Sequence, residues 1–156
     1  MLKEGEKAVD FCLPDKDEKN YSLEDFKGKW IVLYFYPRDN TKGCTKEALD
    51  FTKLNEEFKK LNTVIIGISK DSPKSHKRFV EKHNLGILLL SDEEHKIMEK
   101  YGAWGKKKIY GKESIGTIRS TFLISPERII RKIWRNVKVK KHAEEVLNTL
   151  KKILGK

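Results

Sequence analysis

Two thiols occur in the 156-residue chain, Cys12 and Cys44, and their surroundings differ. Cys44 closes the polar stretch Pro37-Arg38-Asp39-Asn40-Thr41-Lys42-Gly43, which separates an apolar run from a segment of helical periodicity. A cysteine in the first turn of a helix faces unpaired backbone N–H groups and the positive end of the helix dipole, and both stabilise a thiolate. Lys42 and Lys46 add positive potential. The thiolate is the nucleophilic form of cysteine, so this position points to thiol chemistry. An inert cysteine packed in a core would fall more naturally on the stripe Ala48, Phe51, Leu54 than in a loop of Gly and Thr. His76, His83, His95 and His142 lie on separate expected helices or their ends, without the paired spacing of a metal site. Surface or capping roles are expected for them, and no metal, haem or other cofactor is implied. A Cys–His acyl hydrolase stays open only formally, because nothing like a nucleophile elbow surrounds Cys44.

The elements that must position Cys44 are legible in the hydrophobic pattern. Trp30 to Tyr36 is a continuous apolar run, β-branched and aromatic, stopped by Pro37, which suits a central strand buried on both faces. Ala48, Phe51, Leu54, Phe58 and Leu61 then recur at three- and four-residue steps, predicting an amphipathic helix from near Gly43. Thr63 to Ser69 reads as a second buried strand, and Ser72-Pro73 opens a helix running to about His83. Ile87 to Leu90 is a short strand, and Ser91-Asp92 is expected to cap a helix carrying Ile97, Met98 and Tyr101 before Gly102. A basic, Gly-rich loop of about a dozen residues is expected next. Thr121 to Ile124 and Ile129 to Trp134 flank the turn Ser125-Pro126-Glu127-Arg128 and predict an antiparallel hairpin. Ala143, Val146, Leu147, Leu150, Ile153 and Leu154 share one face of a last helix. The order predicts an α/β chain with a mixed central sheet flanked by helices on both faces, organised as a single domain over residues 1–156.

Composition narrows the function classes. No apolar run approaches the roughly 20 residues that span a bilayer. The N-terminus, Met1 to Lys7, mixes charges of both signs without the apolar centre of a secretory signal, so the expected compartment is the cytoplasm. Thirty-four Lys plus Arg against 23 Asp plus Glu give a net charge of +11, which invites a nucleic-acid reading. Its dense clusters are confined to Lys106-Lys107-Lys108 and Lys138 to Lys141, and no aromatic–basic motif accompanies them, so a solvated surface is expected instead. The chain contains no Gln, and with its Lys and Glu enrichment this resembles a heat-adapted composition.

Pro37-x-x-x-Thr41-x-x-Cys44 resembles the peroxidatic-cysteine motif of the peroxiredoxins, and Phe35 through Glu47 is similar to that of their bacterioferritin-comigratory, or peroxiredoxin Q, branch. The resemblance continues through Val9-Asp10-Phe11 with Leu13-Pro14-Asp15, Arg119 to Ile124, and Trp134 to Leu147, nearly the whole chain in order. It implies a thioredoxin-like fold with peroxiredoxin insertions and the reduction of hydrogen peroxide and organic hydroperoxides. Cys44 would attack the peroxide and become a sulfenic acid. The Thr41 hydroxyl would hydrogen-bond the sulfur and the incoming peroxide, and the Cys44 N–H would donate to the peroxide oxygens. Arg119 would hold a planar cation beside the sulfur, Pro37 would shield the pocket from water, and Glu47 would bond the first-turn backbone and orient the loop.

Two positions depart from the branch. Leu49 stands where many members carry a resolving cysteine, and Lys42 stands where the motif commonly has Pro. Cys12 is the only other thiol, flanked by Phe11 and Leu13 and expected as a buried structural cysteine in an edge strand. Its sharper alternative is an atypical resolving thiol, within or between subunits. The expected cycle uses Cys44 alone, with a small or thioredoxin-like external thiol as reductant. A peroxide sensor that passes oxidation to a partner is the competing reading, and a monomer or weak homodimer is expected.

Overall fold

The structure, a computed structural model, describes residues 1–156 apart from the side chain of Ile109. Strand β3 (Trp30–Phe35) lies at the middle of a five-stranded sheet. Strands β4 (Thr63–Ser69) and β5 (Leu88–Ser91) run parallel to it on one side; on the other, β8 (Ser120–Ile124) runs antiparallel to β3 and β9 (Ile130–Arg135) antiparallel to β8, giving the order β5-β4-β3-β8-β9. Helices α1 (Lys42–Lys60), α2 (Pro73–His83), α3 (Lys96–Tyr101) and α4 (His142–Ile153) connect and cover these strands. A two-residue pair, β1 (Leu13–Pro14) and β2 (Asn20–Tyr21), stands apart near the N-terminus.

The period-two geometry of a strand divides β3 between two apolar layers. Val32, Tyr34 and Tyr36 join Phe51 and Phe58 of α1, Phe79 of α2 and Val146, Leu147 and Leu150 of α4 in one layer. Ile31, Leu33 and Phe35 join Ile97, Met98 and Tyr101 of α3, with Phe11 and Leu13, in the other. Each fully buried Ile, Leu or Phe of this run contributes about 1.5–3 kcal/mol relative to exposure, and that is what holds β3 at the centre. The helices do flank both faces, with three on the first layer and the short α3 on the second. Gly67 of β4 makes room for this packing, because a Cβ there would lie 2.8 Å from Cζ of Tyr34 and 2.9 Å from Leu89 Cδ2.

Two expectations are corrected. The basic stretch after Gly102 is not a loop but a hairpin of β6 (Trp104–Ile109) and β7 (Lys112–Thr117). Tyr110 and Gly111 turn it with positive φ of 52° and 80°, the condition of a mirror-image two-residue turn whose twist matches the strands. Its strands are largely exposed, Lys112 to Ile115 without a break, so the alternation that marks a half-buried strand is absent from them. Helix α3 starts at Lys96, later than a cap at Ser91-Asp92 requires, and His95 in the left-handed region precedes it. Asp92 still accepts from the backbone N–H of Met98 at 2.9 Å, so it serves that helix from inside the protein.

Candidate active site

Strand β3 delivers the chain to the layer holding α1, α2 and α4, and the Pro37–Thr41 loop turns it into α1. Asn40 takes the left-handed conformation (φ 63°), which Asn tolerates better than most residues. Thr41 is the residue before the helix, and Thr45 N–H donates to its carbonyl at 2.9 Å as the first helical bond. Thr41's side chain caps none of the N–H groups of the first turn, so Cys44 N–H stays without an intrahelical acceptor. Cys44 is buried within that turn, 1 % exposed.

Arg119, from the junction of β7 and β8, reaches the same point across the sheet. One guanidinium nitrogen, Nη2, donates to Cys44 Sγ at 3.3 Å and Nη1 donates to Glu47 Oε1 at 2.5 Å. The guanidinium passes close to Gly43, where a Cβ would stand in van der Waals contact with Nη2 at 3.4 Å. Burial disfavours the arginine's charge, but Glu47 and Cys44 more than offset it and raise its pKa further. Glu47 lies one turn beyond Cys44 on α1 and is itself buried, with its second carboxylate oxygen unpartnered. Burial pushes its carboxyl up to about 7, with Arg119 pulling the other way.

The residues singled out in the sequence are therefore brought together unevenly. Cys44, Arg119 and Glu47 meet directly. Glu47 bonds the guanidinium rather than the first-turn backbone, because its position three residues after Cys44 turns it to the side from which Arg119 enters. The exposed Thr41 hydroxyl donates to the Arg38 carbonyl at 3.1 Å, and Pro37 is half-buried at the start of the loop. Cys12 is not a buried strand residue: it is exposed, in irregular chain just before β1. Its neighbours Phe11 and Leu13 turn into the second layer, whereas Cys44 belongs to the first. The five-stranded sheet separates the two, and a disulfide needs Cα atoms within about 7 Å. Leu49, in the departed resolving position, is 41 % exposed on α1.

Two histidines were missed as buried groups. His142 is buried against Phe51 and Trp134 and shares a 2.8 Å hydrogen bond with the Thr121 hydroxyl. Its burial lowers its pKa to about 4. His76 has no exposure at all and meets Asp39 of the loop at 2.8 Å. No local pattern announces a contact across 37 residues of chain. With Asp71 these two form the one triad of metal-ligating atoms within 4.8 Å of one another among the described residues. Its side chains already bond one another and neighbouring groups, as a structural network does.

Comparison with known proteins converges with this geometry. The AhpC/TSA family model matches residues 5–133. Peroxiredoxin Bcp of Bacillus subtilis is 53% identical over 147 residues, covering 94% of each chain. The crystal structure of a Cys-to-Ser variant of Xylella fastidiosa peroxiredoxin Q superposes with a TM-score of 0.93 at 37% identity, over 99% of this chain and 98% of that one. The bacterioferritin comigratory protein of Xanthomonas campestris, whose structures are described with its alkyl peroxide reduction activity, gives 0.86 at 41% identity over 91% of this chain and 90% of its own. These relatives share the mixed sheet and flanking helices of a thioredoxin-fold peroxiredoxin, and the chain belongs to the AhpC/TSA family as a thiol peroxidase of the bacterioferritin-comigratory, or Q, branch.

Proposed function

We propose that Cys44 is the peroxidatic residue of a one-cysteine cycle acting on hydrogen peroxide and organic hydroperoxides. The observation that carries this reading is the guanidinium of Arg119 donating to Cys44 Sγ while Glu47 holds its other arm. The thiolate attacks the terminal peroxide oxygen: the S–O bond forms, the O–O bond breaks, and the departing alkoxide or hydroxide takes a proton to leave as alcohol or water. Sulfur is oxidised by two electrons to sulfenic acid and the peroxide is reduced by two. A planar cation beside the sulfur and the free Cys44 N–H are preorganised donors for charge that moves from sulfur to oxygen. Glu47 keeps the guanidinium in plane, and the half-buried Pro37, which has no N–H, closes the loop side of the site. Thr41, at the mouth of the same turn, supplies a hydroxyl for the incoming peroxide.

Two external thiols complete the cycle. The first displaces water from the sulfenic acid to form a mixed disulfide, and the second releases Cys44 as thiol and leaves an external disulfide. The sequence contains no third cysteine, and Cys12 lies across the sheet. The reductant is a small or thioredoxin-like thiol, the compartment a reducing cytoplasm, and the protein a monomer or weak homodimer over one domain. The test is peptide-mapped mass spectrometry after one equivalent of hydrogen peroxide, on wild type and Cys44→Ser, with and without dithiothreitol. Oxygen addition at Cys44, reversed by the reductant and lost in the variant, is expected. A Cys12–Cys44 disulfide, which the exposure of Cys12 allows between two copies, overturns the one-cysteine cycle, and an unmodified Cys44 overturns the site.

A further inference from the structure

Behind the loop that leads into the first turn of α1 and Cys44 lies a second buried acid–base pair. Asp39, in the middle of the loop, accepts at Oδ1 from the Tyr36 hydroxyl (2.7 Å) and at Oδ2 from the Ser75 hydroxyl (2.8 Å). His76 Nδ1 faces the same Oδ2 at 2.8 Å, and His76 Nε2 faces the Leu90 carbonyl at 3.1 Å. A carbonyl oxygen only accepts, so Nε2 carries a hydrogen. A proton must also lie between Nδ1 and the carboxylate, so the pair holds one proton more than a neutral imidazole beside a carboxylate. The loop backbone is bolted to the same network, because Asp39 N–H donates to Asp71 Oδ2 (2.8 Å), which the Ser69 hydroxyl also engages (2.7 Å). The side chains of His76 and Asp39 are 0% and 2% exposed, and every polar atom of the pair is used.

We propose that Asp39 and His76 are positioning residues for the peroxidase reaction: their protonated pair clamps the Pro37–Thr41 loop to α2 and β5 and so fixes where α1 presents Cys44 to Arg119 and to peroxide. Neither touches the reacting atoms. Asp39 sits between Pro37 and Thr41, so its displacement moves both walls of the peroxide site together with the start of α1. A shift of about 1 Å in reacting groups is enough to lower a rate by about a hundredfold. The loop itself offers few other ties: the Thr41 hydroxyl bonds only within the loop, to Arg38, and Arg38 and Asn40 are exposed.

This proposal rests on Cys44 being peroxidatic, and Cys44→Ser tests that separately: residual peroxide consumption there overturns the site itself, a failure distinct from that of the clamp. The clamp is tested on protein with Cys44 intact, in Asp39→Ala, Asp39→Asn and the double variant Asp39→Ala/His76→Leu. The readouts are the rate constant for oxidation by hydrogen peroxide, the rate at which dithiothreitol reduces the preformed sulfenic acid, and the melting midpoint. Asp39→Ala is expected to slow oxidation at 25 °C at least tenfold in folded protein, with reduction unchanged or faster. Asp39→Asn is expected to recover most of that loss, because its amide donates to Nδ1 of a neutral His76 while its oxygen still accepts from Tyr36. The double variant, which strands no charge, keeps the test available if Asp39→Ala does not fold, and is expected to show the same oxidation defect. A lowered melting midpoint with unchanged oxidation, or a double variant that oxidises at the wild-type rate, overturns the proposal.

Discussion

Two buried pairs bracket the Pro37–Thr41 loop, and they differ in how fully their hydrogen-bonding capacity is used. Arg119–Glu47 touches the sulfur, keeps one Glu47 oxygen unpartnered and leaves the arginine side chain 16% exposed. Asp39–His76 lies away from solvent, and each of its donors and acceptors has a partner. Spare capacity beside a nucleophile is available to the charge that develops during reaction, whereas a saturated pair can only hold a geometry. The difference separates chemistry from frame within a few residues of chain.

The comparison is broken most severely by removing the common acceptor of the saturated pair. Asp39→Ala should lower unfolding free energy by about 3–5 kcal/mol, because it leaves the buried Tyr36 and Ser75 hydroxyls and a His76 ring nitrogen without the carboxylate they share. Denaturant unfolding checks this, and the loss should shrink when His76→Leu is added. Arg119→Ala should instead act on rate, lowering peroxide oxidation about 10²–10³-fold as an electrostatic donor is lost. Stopped-flow oxidation of folded protein reads it. Arg119→Lys should recover only part, since a point charge cannot donate to sulfur and carboxylate in one plane.

A pH series sharpens the contrast further. Glu47 titrates near 4.5 when unfolded and about 7 when folded, so the folded state holds more protons across that window and stability falls as pH rises through it, by about 3 kcal/mol in all. His142 behaves oppositely: its folded value of about 4 lies below its unfolded 6.5, so stability rises with pH across that span by about 3 kcal/mol. The two contributions oppose each other between pH 4.5 and 6.5. Against wild type, Glu47→Gln should therefore steepen the rise of stability with pH, and His142→Phe should reverse or flatten it, in parallel urea titrations. The smallest effect is expected at Leu49, exposed on α1 and outside both pairs. Leu49→Ala should change stability by no more than about 0.5 kcal/mol and leave the peroxide rate unaltered, which separates the pairs from generic perturbation of the helix.

How much was legible depended on whether the signal was local. The run Trp30 to Tyr36 could only be a strand buried on both faces, and the stripe from Ala48 to Leu61 could only be a helix with one apolar side, because each period is written in adjacent residues. The first turn bearing Cys44 followed from the same junction. Hairpin β6–β7 was hidden because its strands carry lysines where a core strand would carry apolar side chains. Cys12 looked buried because Phe11 and Leu13 are, yet alternation along an extended chain turns the residue between them outward.

The sequence alone determined the strands and helices of the central sheet and its flanks, the nucleophile at a helix start and, through the spacing of Pro37, Thr41 and Cys44 and the segment from Arg119, the resemblance to peroxiredoxins. Tertiary structure decided which charged groups become partners. Glu47 meets Arg119 across 72 residues of chain, and Asp39 meets His76 across 37. Such contacts have no period, because they arise where the sheet order brings β8 and α2 beside the loop after β3. Burial then changes the groups themselves: only the folded chain takes Glu47 and His142 out of water, and their protonation follows from that.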